Sequence, residues 1–116
     1  MKISTLFQGL HFVGQAEGDR RTYYAFQGDG PYIIASPNDR GGLNVNVIDH
    51  EAPDAVTRRF KGQRVTSSIL VKHGRRADLF GAAFAALNAL YLMVALGRAR
   101  KLKKRDGRAL IFKVGR

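Results

Sequence analysis

The chain has 116 residues, no cysteine and a formal net charge of +11 at pH 7, with 20 Lys and Arg against 9 Asp and Glu. At this length a single domain spanning residues 1–116 is expected, and the lack of cysteine excludes disulfides, thiol nucleophiles and cysteine-ligated zinc. The 45% share of hydrophobic residues favours a packed core over disorder.

The first part of the chain, residues 1–50, is rich in β-forming residues. Strands are predicted at residues 11–16, 20–27, 31–36 and 43–48. The stretches between them are clusters of Gly, Asn and Asp, which are typical of tight turns. Consecutive strands with short turns predict an antiparallel β-meander.

The last of these strands has a period-two pattern. Three apolar residues, Leu43, Val45 and Val47, alternate with Asn44 and Asn46. This pattern predicts a strand whose apolar face is buried, with the asparagines facing water or a ligand.

The remaining part, residues 51–116, begins with helix signals. Residues 51–62 carry acids and Pro53 in the first turn, basic residues near the end and Gly62 after it, which predicts a first helix. The segment 65–74 offers Thr66 or Ser67 as N-cap and Gly74 as the stop, which predicts a second, shorter helix.

A third and longer helix is predicted over residues 79–96, with Asp78 as N-cap and Gly97 as the stop. Its large side chains recur at steps of four and three, so we expect Phe84 and Leu87 to face the core. This run of eighteen residues, with Asn88 as its one strongly polar side chain, also approaches the length of a membrane span. However, eighteen residues form only about 27 Å of helix, which is shorter than a hydrocarbon layer of about 30 Å. The large side chains also lie along one side of the helix, and this pattern favours a helix that packs on a protein core.

The end of the chain predicts a β-hairpin. Two β-forming runs flank Arg105, Asp106, Gly107 and Arg108, and Asp-Gly is a strong signal for a two-residue turn.

Three helices with a short middle one, followed at once by a basic hairpin, resemble the winged helix-turn-helix family. The resemblance covers residues 52–114 and is carried best by residues 87–114, LNALYLMVALGRARKLKKRDGRALIFKV. There a long helix runs into a Gly-Arg step, a strand, a turn containing Asp-Gly, and a strand ending in an aromatic residue and Val. The expected fold class is therefore α+β, with the β-meander preceding a three-helix winged helix-turn-helix and its C-terminal hairpin wing.

Charge is divided unequally along the chain. Residues 1–55 hold 4 basic and 7 acidic side chains and residues 56–116 hold 16 and 2, so the net charges are −3 and +14. Such asymmetry is typical of proteins that bind a polyanion. The candidate nucleic-acid-binding residues are Arg64, Thr66, Ser67, Ser68, Lys72, Arg75, Arg76, Asn88, Arg98, Arg100, Lys101, Lys103, Lys104, Arg105 and Arg108. Asn88 is included although alanines dominate the helix that reads bases in this family.

These patterns predict a binding protein rather than an enzyme, because His11, His50 and His73 lack metal-ligand spacing and no carboxylate-and-lysine nuclease motif occurs. The preferred partner is double-stranded DNA, with no cofactor and no metal, and a homodimer is compatible with this function. The resemblance implies a prokaryotic-type regulator or a restriction-associated recognition module, including one that senses modified bases. The alternatives are a structured-RNA or ribosome-associated protein and a membrane-associated basic protein. The segment MKISTLFQGLHF lacks the apolar run of a secretory signal, so a cytoplasmic location is expected.

Overall fold

A computed structural model describes residues 9–115 and shows an α+β fold in which a four-stranded sheet precedes helices and a terminal hairpin. The strands are β1 (His11–Glu17), β2 (Thr22–Gln27), β3 (Tyr32–Pro37), β4 (Leu43–Ile48), β5 (Arg64–Val65), β6 (Ala99–Asp106) and β7 (Ala109–Val114). The helices are α1 (Ala52–Phe60), α2 (Ser67–His73), α3 (Ala77–Phe80) and α4 (Ala83–Ala95). The amino-terminal segment considered as a signal lies, up to residue 8, outside the described residues.

Strands β1 to β4 form the predicted antiparallel meander, in the order β1-β2-β3-β4. Its inner face covers the helices: Ala25 and Ile34 lie opposite each other there and are at most 1% exposed. A bulge follows Phe12 in β1, and beyond it Gly14 comes close to the end of α4.

The predicted orientation of β4 is wrong. Leu43 and Val47 are 47% and 62% exposed on the outer face of the sheet, whereas Asn46 lies opposite the buried Ile34 and faces α4. The buried Ile48 shares its face with Asn46, because side chains two positions apart point the same way. The inward face of β4 is therefore the one that carries the asparagines.

The outer face of the first sheet is apolar. Phe12, Phe26, Ile33 and Val47 lie side by side across the four strands. The rings of Phe12 and Phe26 meet edge to face at 5.7 Å, and Ile33 is only 3% exposed beneath its neighbours. This row lies on the side of the sheet away from the main core.

The first two helices follow their local signals. Helix α1 has Pro53 in its first turn and basic residues in its last turn, as expected. Helix α2 begins after Thr66, whose side-chain oxygen accepts a hydrogen bond from the backbone N–H of Ile69 at 3.2 Å. Of the two predicted N-caps, Thr66 is therefore the one used, and α2 ends at Gly74.

The predicted third helix is two helices, α3 and α4, separated at Gly81 and Ala82. Asp78 lies inside α3 rather than at its N-cap. The break shifts the helical phase, so the step from Phe80 to Phe84 does not stay on one face. Phe80 is 1% exposed but Phe84 is 66% exposed, so the prediction that Phe84 lies in the core is wrong. Leu87 is half-buried and packs against the core.

Helix α4 is the centre of the fold. It packs against β1, β2 and β4 on one side and against the other helices and β6 on the other. Tyr91 of α4 stacks on Tyr23 of β2 at 4.0 Å and meets Phe112 of β7 edge to face at 5.5 Å. The helix ends at Ala95 with Leu96 as its C-cap, and Gly97, the next residue, has a φ of 73° and fits the predicted stop. Within residues 9–115, no helix is both long and apolar enough to cross a bilayer.

The terminal hairpin is confirmed, with β7 lying between β5 and β6 in a three-stranded antiparallel sheet. Its turn lies one residue later than the Asp-Gly signal suggests. Asp106 still pairs with Ala109, so the two turn residues are Gly107 and Arg108, and Gly107 has a φ of 61°. A glycine at the first turn position is the pattern of a type II′ turn.

Candidate nucleic-acid interface

The second sheet has one apolar and one basic face. Val65 of β5 and Phe112 of β7 lie directly opposite each other and are at most 1% exposed, so this face is turned to the core. Side chains alternate along a strand, so the neighbouring positions point outward. They are Arg64, Lys113 and Arg100, which are paired across β5, β7 and β6 in that order.

This line of three residues, which we call the cation row, places like charges on adjacent strands only about 4.8 Å apart. Directly opposed like charges destabilise a sheet. Within the described part of the chain no carboxylate pairs with Arg64, Lys113 or Arg100. An anion bound along the row would relieve this repulsion.

Lys113 was not among the predicted site residues. Lys113 lies between the apolar residues Phe112 and Val114. This alternation in the sequence indicates that Lys113 points outward from the last strand. Its neighbours in the row come from β5 and β6, and this pairing depends on the strand register.

A bulge interrupts β6 between the cation row and the turn. Lys101 pairs with Phe112 and Arg105 pairs with Leu110, so three residues of β6 lie opposite the single residue Ile111. Bulges bend a strand and redirect its side chains. Here the bulge holds Lys103 and Lys104, both of which are exposed.

A cleft of about 280 Å³ lies between the hairpin and the start of α2. Its lining residues are Arg64, Val65, Thr66, Ile69, Lys104, Arg105, Asp106 and Ile111. The structure thus brings together four predicted residues from separate parts of the sequence, namely Arg64, Thr66, Lys104 and Arg105. The hydroxyl of Thr66 already accepts the capping hydrogen bond, while Ser67 is half-buried and Ser68 is exposed in the first turn of α2.

Two cations of the hairpin are held by one carboxylate of the first sheet. Asp19, in the turn between β1 and β2, forms ion pairs with Arg105 and with Lys101, whose Nζ lies 3.2 Å from Oδ1. The hydrogen bonds from Arg105 and then Lys101 lower the pKa of Asp19. The hairpin is therefore fixed to the meander, and part of its charge is compensated.

Arg98 and Arg76 are also paired with acids. The Nη2 of Arg98 donates to Asp54 Oδ1 and to the hydroxyl of Thr57, both at 2.8 Å. The Nη2 of Arg76 donates to Asp78 and to Glu51, both at 2.8 Å. These hydrogen bonds, first to Asp78 and then to Glu51, raise the pKa of Arg76 above its ordinary value. Arg98 joins α1 to the start of β6, and Arg76 joins the start of α1 to α3. Because carboxylates already compensate the charges of both arginines, these charges are less available to a ligand.

The remaining predicted residues differ in accessibility. Among these remaining residues, five are exposed cations with no carboxylate partner in the described part of the chain: Lys72, Arg75, Lys103, Lys104 and Arg108. Arg75 has a φ of 59° in the turn between α2 and α3. Asn88 is only 6% exposed, and its Nδ2 donates to the carbonyl of Phe84 at 3.1 Å, so it lies away from the basic face.

Within residues 9–115, no group of three or more His, Cys, Asp or Glu side chains is placed to hold a metal ion. Comparison of the chain with protein-family models, curated proteins and solved structures gave no match.

Proposed function

We propose that the chain binds double-stranded DNA through the basic face of its second sheet, as a winged-helix protein without catalytic activity. The observation that carries this proposal is the cation row, Arg64, Lys113 and Arg100, which places three cations without described carboxylate partners side by side. Phosphate contacts supply most of the sequence-independent affinity of DNA-binding proteins.

The order of the elements supports the winged-helix part of the proposal. Helix α1, strand β5, helix α2 and the broken third helix are followed directly by the hairpin of β6 and β7. Strand β5 joins the hairpin into one sheet by pairing with the last residues of β7, so the hairpin is anchored at its base.

The burial of α4 determines how DNA would be contacted. Both sides of α4 are covered, and only its first turn, with Ala83 and Phe84, is exposed. Alanine and phenylalanine have no side-chain donor or acceptor for base edges in the major groove. We therefore propose that the hairpin contacts the DNA backbone and that binding by this face tolerates many sequences.

Fluorescence anisotropy with a labelled duplex at several salt concentrations tests the proposal. Each phosphate contact contributes about −0.9 to the slope of log affinity against log salt. Replacing Arg64, Arg100 and Lys113 together by alanine is expected to weaken binding and to reduce the slope by up to about 2.7.

The matched control removes the same charge elsewhere, by replacing Arg20, Arg40 and Arg58, which are all exposed. An equal loss in both variants would show that net charge, not the row, drives binding. Duplex RNA and vesicles of anionic lipid are compared at the same salt concentration, and tighter binding to either would overturn the assignment of DNA.

A further inference from the structure

A second cleft lies between the inner face of the first sheet and the first turn of α4. It consists of two adjoining cavities of about 310 and 150 Å³, which share Asn46, Phe84 and Asn88 in their linings. None of these residues lines the cleft beside the hairpin. We call this feature the amide cleft.

Three asparagines line the amide cleft, and each retains hydrogen-bonding capacity. Asn46 makes no side-chain hydrogen bond to another described residue. Asn88 uses only its Nδ2, so the Oδ1 of this 94% buried side chain is left as an acceptor in the cleft wall. Asn44 accepts from Asn38 at 3.4 Å, which leaves its own Nδ2 as a donor.

Phe84 forms an apolar wall of the amide cleft. Its ring is 66% exposed although it belongs to the central helix, so it adds little to the core. The exposed aromatic ring provides a flat surface on which a planar ligand can stack. The amide groups beside the ring can hydrogen-bond the polar edge of the same ligand.

The charges around the amide cleft do not favour an anion. Asp49 and Asp78 line the larger cavity and Arg21 lines the smaller, while Arg76 pairs with Asp78, so the lining carries no excess of positive charge. Both Asp78 oxygens already accept hydrogen bonds from Arg76, which lowers the pKa of Asp78 and keeps it ionised. A neutral ligand with donor and acceptor groups suits this lining better than a phosphate.

We propose that the amide cleft binds one nucleobase, stacked on Phe84, with its hydrogen-bonding edge toward Asn46 and Asn88. An asparagine amide matches a base edge that carries an adjacent donor and acceptor. The base belongs either to an unstacked nucleotide of a nucleic acid or to a free nucleoside, since both present the same ring. This inference goes beyond the proposed DNA contact and does not depend on the cation row, because a nucleoside carries no phosphate.

The first arm of the test titrates the full chain with adenosine, guanosine, cytidine and thymidine at millimolar concentrations, followed by NMR chemical shifts of the protein. The second arm uses oligonucleotides that carry 2-aminopurine, a base whose fluorescence changes when it leaves the stack. We expect saturable shifts with at least one nucleoside, a fluorescence change in an oligonucleotide, or both. Binding of nucleosides alone identifies a free ligand, and a response of oligonucleotides alone identifies an extruded or single-stranded base.

Phe84→Ala is expected to weaken the response about fivefold or more, the lower limit for losing one base stack. Asn46→Ala removes the proposed contact with the base edge and is expected to weaken the response by about fivefold or more as well. The matched control is Phe12→Ala, which removes an exposed ring from the opposite face of the same sheet and should leave the response unchanged. Thermal melting checks that each variant folds. The proposal is overturned if neither probe responds, or if Phe84→Ala and Asn46→Ala both bind like the wild-type chain.

The two proposals fail separately. The triple variant of the cation row should keep its response to nucleosides while losing affinity for duplex DNA. If that variant loses both its response to nucleosides and its affinity for duplex DNA, the amide cleft is not an independent site and the inference fails.

Discussion

Asp19 and Arg105 form an ion pair although 86 positions separate them in the sequence. The pair joins the turn between β1 and β2 to the basic hairpin, and Lys101 binds the same carboxylate. One acidic side chain thus connects the two sheets and compensates part of the hairpin's charge.

This carboxylate should make stability depend on pH. A carboxyl group whose pKa is lowered by folding stabilises the native state above its ordinary pKa, here 3.8, and loses that contribution as the pH falls through the lowered value. We expect Asp19→Asn to melt below the wild-type chain at pH 7, and the difference to shrink as the pH falls below about 3.8. Thermal melts of both proteins between pH 7 and a pH below about 3.8 measure the difference in melting temperature. A difference that stays constant with pH would contradict the role of the ionised form.

The same variant should bind DNA more tightly, since it frees Lys101 and Arg105. If both cations then contact phosphates, the salt slope becomes steeper by up to about 1.8. Glu17→Gln is the control, because Glu17 is exposed nearby and hydrogen-bonds only Gln15 and Thr22 among its described side-chain partners. Unchanged affinity in Asp19→Asn would place these two cations outside the interface.

The break between α3 and α4 predicts opposite outcomes for two phenylalanines. Phe80→Ala should lower the free energy of unfolding by about 3 to 5 kcal/mol, the range for truncating a buried aromatic ring. Phe84→Ala should change it by less than about 0.5 kcal/mol, because exposed side chains contribute little to stability. Urea unfolding followed by circular dichroism measures both. Similar losses would mean that the helix is continuous and that both rings are buried.

Gly14 is expected to resist substitution. A Cβ at this position would lie 2.0 Å from the carbonyl oxygen of Ala95, and its φ of 153° is unfavourable for other residues. Gly14→Ala should therefore destabilise the fold by about 1 to 3 kcal/mol, as overpacking does. Gly30→Ala is the control, since nothing lies within 4 Å of a Cβ there. Equal stability of the two variants would show that β1 does not approach α4 this closely.

The buried phenol of Tyr91 should ionise only at alkaline pH, and its ionisation should destabilise the fold. Its burial, and then the proximity of Tyr23, raise its pKa to about 12. Because the folded state favours the neutral phenol, this contribution is complete below about pH 10, the pKa of an unfolded tyrosine, and is lost as the pH rises to about 12. Absorbance at 295 nm should show one late-ionising tyrosine that is missing in Tyr91→Phe. A wild-type titration complete by about pH 11 would refute this.

Local signals in the sequence predicted most of the elements. Turn clusters separated the four strands of the meander, and Thr66 and Gly97 marked a helix start and a helix end where the structure has them. These signals work because capping and turn formation involve residues close together in the chain. The uneven distribution of charge along the chain likewise follows from the sequence alone.

The tertiary structure decided how these elements are used. The alternation in β4 showed that its faces differ, but only packing on α4 placed Asn46 inside and Val47 outside. The break at Gly81 turned Phe84 from an expected core residue into the exposed wall of a cleft. The cation row depends on the register of three strands, because β5 is separated from β6 and β7 by the helices. Contacts between distant segments form only where burial and strand pairing are satisfied together. A periodic pattern within one segment shows that its two faces differ but does not identify the segment that packs against either face.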